Sequence, residues 1–200
     1  MKSNIYIKAY NSPDFNKKEA FRYAGACEDE STLALVKSCM DDLLGKLSYM
    51  VCYTRYKIEV CEDTLNLGFT KVTSHSLATC LRDCHEIVLF AATVGGGIDR
   101  AIKRASIISP AKAHMLQAIG SERVESLCDA FCNDLAEDEK KIGNLTRPRF
   151  SPGYGDLPLE IQRDIFNSLD LAIALGINLN DNLFMTPSKS VTAIVGIKKG

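Results

Sequence analysis

Apolar and polar residues alternate through the opening stretch MKSNIYIKAYNS, which predicts a strand. Ser12-Pro13-Asp14 predicts a turn, and Asn16 caps a helix through Ala24 that Gly25 ends. A second helix is predicted from a Ser31 cap through Leu47, with Leu33, Leu35, Val36, Met40, Leu43 and Leu44 along one side. Tyr49 to Val60 is rich in β-formers, and Leu65 to Phe69 offers another short strand. A helix runs from Ser74 through Cys84. His85-Glu86 then leads into IVLFAATV, Ile87 to Val94, the most hydrophobic run of the chain, which predicts a central strand buried on both faces.

Gly95-Gly96-Gly97 separates that strand from a helix predicted over Ile98 to Ser106. The triplet lacks the spacing of a dinucleotide fingerprint and the lysine of a P-loop, so it reads first as a turn that needs positive φ. Ser109 as N-cap and Pro110 at the first helical position open the longest helix. Leu116, Ile119, Val124, Leu127, Phe131 and Leu135 form its buried stripe, and Glu122, Glu125 and Asp129 read as a solvated acidic face. The run Glu137 to Lys141 reads as a frayed helix end. Another helix is predicted over Pro158 to Leu175, ended by Gly176, and VTAIVGI closes the chain as a strand. The length is that of a single domain, taken over residues 1–200.

At 200 residues, 46% hydrophobic and 24% charged, the chain has the composition of a globular protein. Lys and Arg number 24 against 25 Asp and Glu, a net charge of −1. That leaves no basic excess for nucleic acid or for an anionic membrane. The N-terminus lacks the apolar core of a signal peptide, and no apolar run spans a bilayer, so a cytoplasmic location is expected. In that compartment the eight cysteines are expected as thiols. None forms a C-x-x-C step, and although Cys80/Cys84 and Cys128/Cys132 share i, i+4 spacing, no metal site is expected.

The candidate chemistry lies in RPRFSPGYGDLP, which holds three of the six prolines together with Gly153 and Gly155. A loop fixed at several φ angles keeps a ligand-gripping shape. It carries Arg147 and Arg149, planar forks for a carboxylate, the small Ser151, and Tyr154, the only tyrosine after Tyr56. A rigid surface turn with an arginine paired to a nearby acid accounts for the same residues equally well.

Two motifs in order carry a family resemblance: R-x-x-P-G-Y-x-x-x-P from Arg149 to Pro158, then M-x-P-x-x-S-V from Met185 to Val191. With the helix containing Leu127-Cys128-Asp129-Ala130-Phe131, they resemble the reactivation (activation) domain of cobalamin-dependent methionine synthase. The similarity runs from about residue 74 to 197 and covers the first seventy residues less well. It implies an α+β fold, a mostly antiparallel sheet with helices packed on it, and a domain that binds S-adenosylmethionine and presents its methyl group to oxidised cobalamin, with a flavodoxin-like donor supplying the electron. By motif, Arg149 would grip the methionine carboxylate, the Ser151 backbone would meet the adenine, Tyr154 would stack or hydrogen-bond, and Asp129 would approach the polar end. Asp129 stands where the fused enzyme has Glu. The fused enzyme's acidic contact from its N-terminal portion has no matching motif here, and its C-terminal aromatic contact would fall beyond Gly200.

The resemblance therefore implies a free-standing donor-binding subunit, acting in reductive reactivation on a separate cobalamin-binding methyltransferase of methionine synthesis or a related pathway and not active alone. No catalytic acid, base or nucleophile is expected, because a methyl sulfonium is already activated. The alternatives are an assembly partner of a corrinoid protein that has lost donor binding, and a small nucleotide-binding enzyme using Gly95 to Gly97.

Overall fold

The computed structural model describes residues 4–200; Met1–Ser3, the start of the predicted N-terminal strand, lie outside them. The elements run β1 (Tyr6–Tyr10), α1 (Lys17–Ala24), α2 (Glu30–Leu43), β2 (Tyr49–Lys57), β3 (Glu59–Cys61), β4 (Thr64–Asn66) and β5 (Lys71–Thr73). There follow α3 (His75–Cys80), β6 (Cys84–Thr93), α4 (Gly97–Ile108), α5 (Pro110–Lys141) and β7 (Asn144–Thr146). A 3-10 turn at Leu159–Ile161 leads into α6 (Gln162–Leu169), α7 (Leu171–Ala174), β8 (Asn178–Leu179), β9 (Met185–Thr186) and β10 (Ser190–Lys199).

Five strands form one antiparallel sheet in the order β1-β2-β6-β10-β7. The register sets Phe90 of β6 between Tyr53 of β2 and Ala193 of β10. Because side chains alternate across a strand, β6 sends Val88, Phe90 and Ala92 to one face and Ile87, Leu89 and Ala91 to the other. Helices α1, α2, α4 and α5 cover the first face. On the second lie α3, α6, α7 and the small sheet β3-β4-β5. The α+β expectation and the two-sided burial of β6 both hold.

All six stripe residues predicted for α5 are buried. Asn16 and Gly25 bound α1 as expected, and Ser74 and Ser109 cap α3 and α5. Several boundaries differ: α3 ends at Cys80, so Cys84 opens β6 rather than closing the helix. Asp29, not Ser31, caps α2: its carboxylate accepts from the Thr32 amide at 2.8 Å and from the Ser31 hydroxyl itself. That helix ends at Leu43, which leaves Leu44 in solvent rather than on the stripe. The helix predicted over Pro158 to Leu175 breaks at Asp170, which takes a left-handed conformation with φ 47°.

The glycine triplet is explained by fit. Gly95 turns the chain at φ 77°, as predicted. Gly97 has another reason, since a β-carbon there would lie 1.8 Å from the Lys46 carbonyl oxygen of the α2–β2 connection. The start of α4 is thus packed against backbone. Gly97→Ala should lower stability by about 1–3 kcal/mol, the range for forced overpacking, while Ile107→Ala on the exposed side of α4 should stay within about 0.5 kcal/mol. Urea denaturation of the two variants checks this.

Candidate functional site

β7 covers only Ile197 to Lys199 of the β10 edge. Beyond it the Pro/Gly loop continues along the same edge. The Arg147 amide donates to the Gly196 carbonyl at 2.8 Å, and Phe150 and Ile194 exchange both backbone hydrogen bonds at 2.8 Å. The loop then folds on itself. Tyr154 N–H donates to the Ser151 carbonyl at 3.2 Å, Leu157 N–H to the Tyr154 carbonyl at 3.1 Å, and Gly153 N–H to the Leu157 carbonyl at 3.0 Å. Gly155 is required here: its φ is 56°, and a β-carbon would meet the Ser76 hydroxyl at 2.6 Å.

Asp156 anchors the far end of the loop. Its carboxylate accepts from the Ser74 hydroxyl at 2.6 Å and from the amides of His75 and Ser76 at 2.8 and 3.0 Å, at the start of α3. The Ser74 hydroxyl first, then those amides, hold its pKa well below the ordinary carboxylate value.

At the near end, Arg149 reaches α5. One guanidinium nitrogen donates to Glu125 at 2.7 Å and the other to Asp129 at 2.5 Å. Glu125 and Asp129 are i, i+4 neighbours, so one helix face presents both carboxylates to a single fork. Burial works against the Arg149 charge, and the bonds to Asp129 and Glu125 more than offset it, so its pKa is raised. The cluster is open to solvent, with the side chains of Arg149 and Asp129 27% and 63% exposed. An ion pair this exposed is worth about 1 kcal/mol or less, so a ligand carboxylate can take over the guanidinium at small cost.

Of the predicted residues, Arg149 and Asp129 are therefore in direct contact, and Ser151 and Tyr154 share the adjoining turn. The Tyr154 ring is 69% exposed. Glu125 was expected only as a solvated acid; its spacing from Asp129 was the available signal for its role. Arg147 serves the scaffold, donating to the Arg82 carbonyl at 3.1 Å. A groove of about 610 Å³ runs along the other side of Asp129, between Pro13–Lys18 and Ser126, Ala130 and Asn133.

Glu122, read as part of a solvated acidic face, is only 1% exposed and pairs with Arg123. Glu139, in the run read as a frayed helix end, is 2% exposed and accepts from Arg55 at 2.6 Å and Asn144 at 2.8 Å. α5 therefore stays helical through the run read as frayed. The histidines serve packing and loops: His75 meets Asp63 at 2.9 Å, His114 meets the Ala24 carbonyl at 3.0 Å, and the His85 carbonyl accepts from Ile58. All eight cysteines are free thiols, and burial pushes those of Cys128 and Cys132 up. Among the described residues no group of three or more His, Cys, Asp or Glu could hold a metal ion, and no helix is long and apolar enough to cross a membrane.

No protein-family model matches the chain, and no curated protein matches it. Among solved structures it is similar to the crystal structure of the MetH reactivation domain bound to AdoHcy. The TM-score is 0.72 at 11% sequence identity, over 98% of this chain and 78% of that one. The fold is that of the MetH reactivation domain, as the two motifs implied.

The Asp156 anchor gives a prediction with a definite sign. A carboxyl with a lowered folded pKa contributes stability that is fully present above its unfolded value, near 3.8, and is lost as pH falls toward the folded one. Asp156→Asn should therefore be less stable than wild type near neutral pH, with the gap closing in strong acid. Thermal midpoints across that pH range check it, and limited proteolysis should show earlier cleavage between Pro152 and Pro158.

Proposed function

We propose that this chain binds S-adenosylmethionine beside Arg149 and presents its methyl group to cobalamin carried by a separate methyltransferase subunit. The observation that carries the reading is the Arg149 guanidinium held between Glu125 and Asp129 at the rim of a rigid loop. An amino-acid head needs a cation for its carboxylate and an anion for its ammonium group, and this cluster supplies both within one helix turn. Two carboxylates against one guanidinium leave one negative charge, which complements the sulfonium. The fold adds support, since the similar MetH domain was crystallised with AdoHcy.

In this reading Arg149 takes the donor carboxylate, Asp129 and Glu125 take the ammonium group, the Ser151 backbone meets the adenine and Tyr154 closes over the ligand. The partner's cobalamin supplies the nucleophile, restored by an electron from a flavodoxin-like donor acting on that partner. This chain positions the sulfonium and excludes competing approaches, so it needs no acid or base of its own. The chain would act in the cytoplasm, as one subunit of a methionine-forming or related corrinoid system.

A second reading has one observation in its favour. Both arms of Arg149 are already filled by carboxylates, as in an assembly partner of a corrinoid protein that no longer binds a donor.

Calorimetric titration with S-adenosylmethionine, S-adenosylhomocysteine and ATP separates the two. The proposal expects saturable binding of the first two, and of S-adenosylmethionine more tightly at low salt. Arg149→Ala should cost about 2 kcal/mol or more in affinity, the lower end for truncating a hydrogen-bonded charge pair. Single histidine-to-alanine variants should bind as wild type. Absence of binding by either sulfur ligand favours the assembly reading, and binding of ATP alone overturns both.

A further inference from the structure

Glu122 and Arg123 are consecutive residues in the middle of α5, and both side chains are 1% exposed. Neighbours on a helix normally point about 100° apart and do not meet. Here both turn toward the same piece of chain. Arg123 donates to Glu122 at 2.6 and 2.7 Å, to the Pro13 carbonyl at 2.7 Å and to the Asp14 carbonyl at 2.8 Å. Glu122 accepts from the Asn16 amide at 2.9 Å and from the Ser126 hydroxyl at 2.7 Å. The guanidinium also lies 5.0 Å from the centre of the Phe15 ring.

A buried ion pair is a poor source of stability, since apolar side chains of similar volume often do as well or better. What this pair does uniquely is hold three backbone groups of Pro13–Asn16. That segment has no regular structure of its own, and it forms one wall of the groove whose other wall carries Asp129.

We infer that Glu122 and Arg123 are positioning residues, which fix Pro13–Asn16 as a preformed second wall beside Asp129. The inference rests on the donor-binding reading of that cluster. With the wall held in place, a ligand need not order it on binding. Without the pair, the segment samples open positions, and affinity falls by the fraction of time the wall is in place.

The test uses the full chain as wild type, as the double variant Glu122→Met/Arg123→Met, and as Glu122→Gln. Amide hydrogen exchange at Asn16, the one amide of the segment that the pair holds, affinity for S-adenosylhomocysteine and the thermal midpoint are measured on each. The double variant is expected to keep a midpoint near wild type while exchange at Asn16 quickens and affinity weakens about tenfold, as for a wall open most of the time. Glu122→Gln keeps the shape and one acceptor oxygen, and it should shift both readouts the same way by less; it carries the test if the double variant does not fold. A folded variant with wild-type affinity overturns the inference, whether or not exchange quickens. Failure of the wild-type chain to bind S-adenosylhomocysteine overturns the donor reading instead, and the exchange data then decide alone whether the pair fixes the wall.

Discussion

From Ile87 to Thr93 every side chain of β6 is buried, on both faces of the sheet. Such a strand cannot lie at a surface, so the chain must supply cover twice. Four helices provide it on one side, and a looser set of short helices and a three-stranded sheet on the other. β10 pairs with β6 along nearly its whole length and is buried with it, which leaves only β1 and β7 as edges. Because β7 is three residues long, the Pro/Gly loop meets the β10 edge next, at Gly196 and Ile194. That loop links the two layers, tied to α5 through Arg149 and to α3 through Asp156.

Three arginines reach acids of α5 under different constraints. Arg123 is fully enclosed and spends its remaining donors on backbone carbonyls, so its geometry is over-determined. Arg55 bridges Glu86 of β6 to Glu139 and binds the end of the helix to the sheet. Arg149 is held by two carboxylates, lies beside the Cys132 thiol and stands partly in water. The first two are suited to holding shape. The third is suited to exchanging one carboxylate for another, and a binding site needs that property.

The elements with strong local signals were legible in the sequence. β6 is a long apolar run, the α5 stripe keeps helical period over many turns, and Asn16, Ser74 and Ser109 are caps whose chemistry acts within three residues. What could not be read depends on partners far away along the chain. Glu122 looks like a surface acid because its amide donor, Asn16, lies 106 positions earlier. Glu139 looks frayed because Arg55 is 84 positions away. At α2 the cap is Asp29, two residues before the Ser31 that the sequence reading chose, and Ser31 itself donates to it. At the site, the loop, Arg149 and Asp129 were found by motif, whereas Glu125 and the wall at Pro13–Asn16 are brought in by the packing of α1 and α5.

The 32 residues of α5 run about 48 Å without a break. Along that length one helix serves the Pro13–Asn16 segment, the Arg149 fork and the sheet at Arg55. Inserting or deleting a single residue between Arg123 and Glu125 would rotate everything beyond it by about 100° and advance it by about 1.5 Å. The fork would lose both acids at once, although every residue type was still present. An extra residue in the turns of β3-β4-β5 would alter only the turn. Between Arg123 and Glu139 the spacing of residues, and not only their type, is what keeps the Arg149 fork and the Arg55 bridge in register.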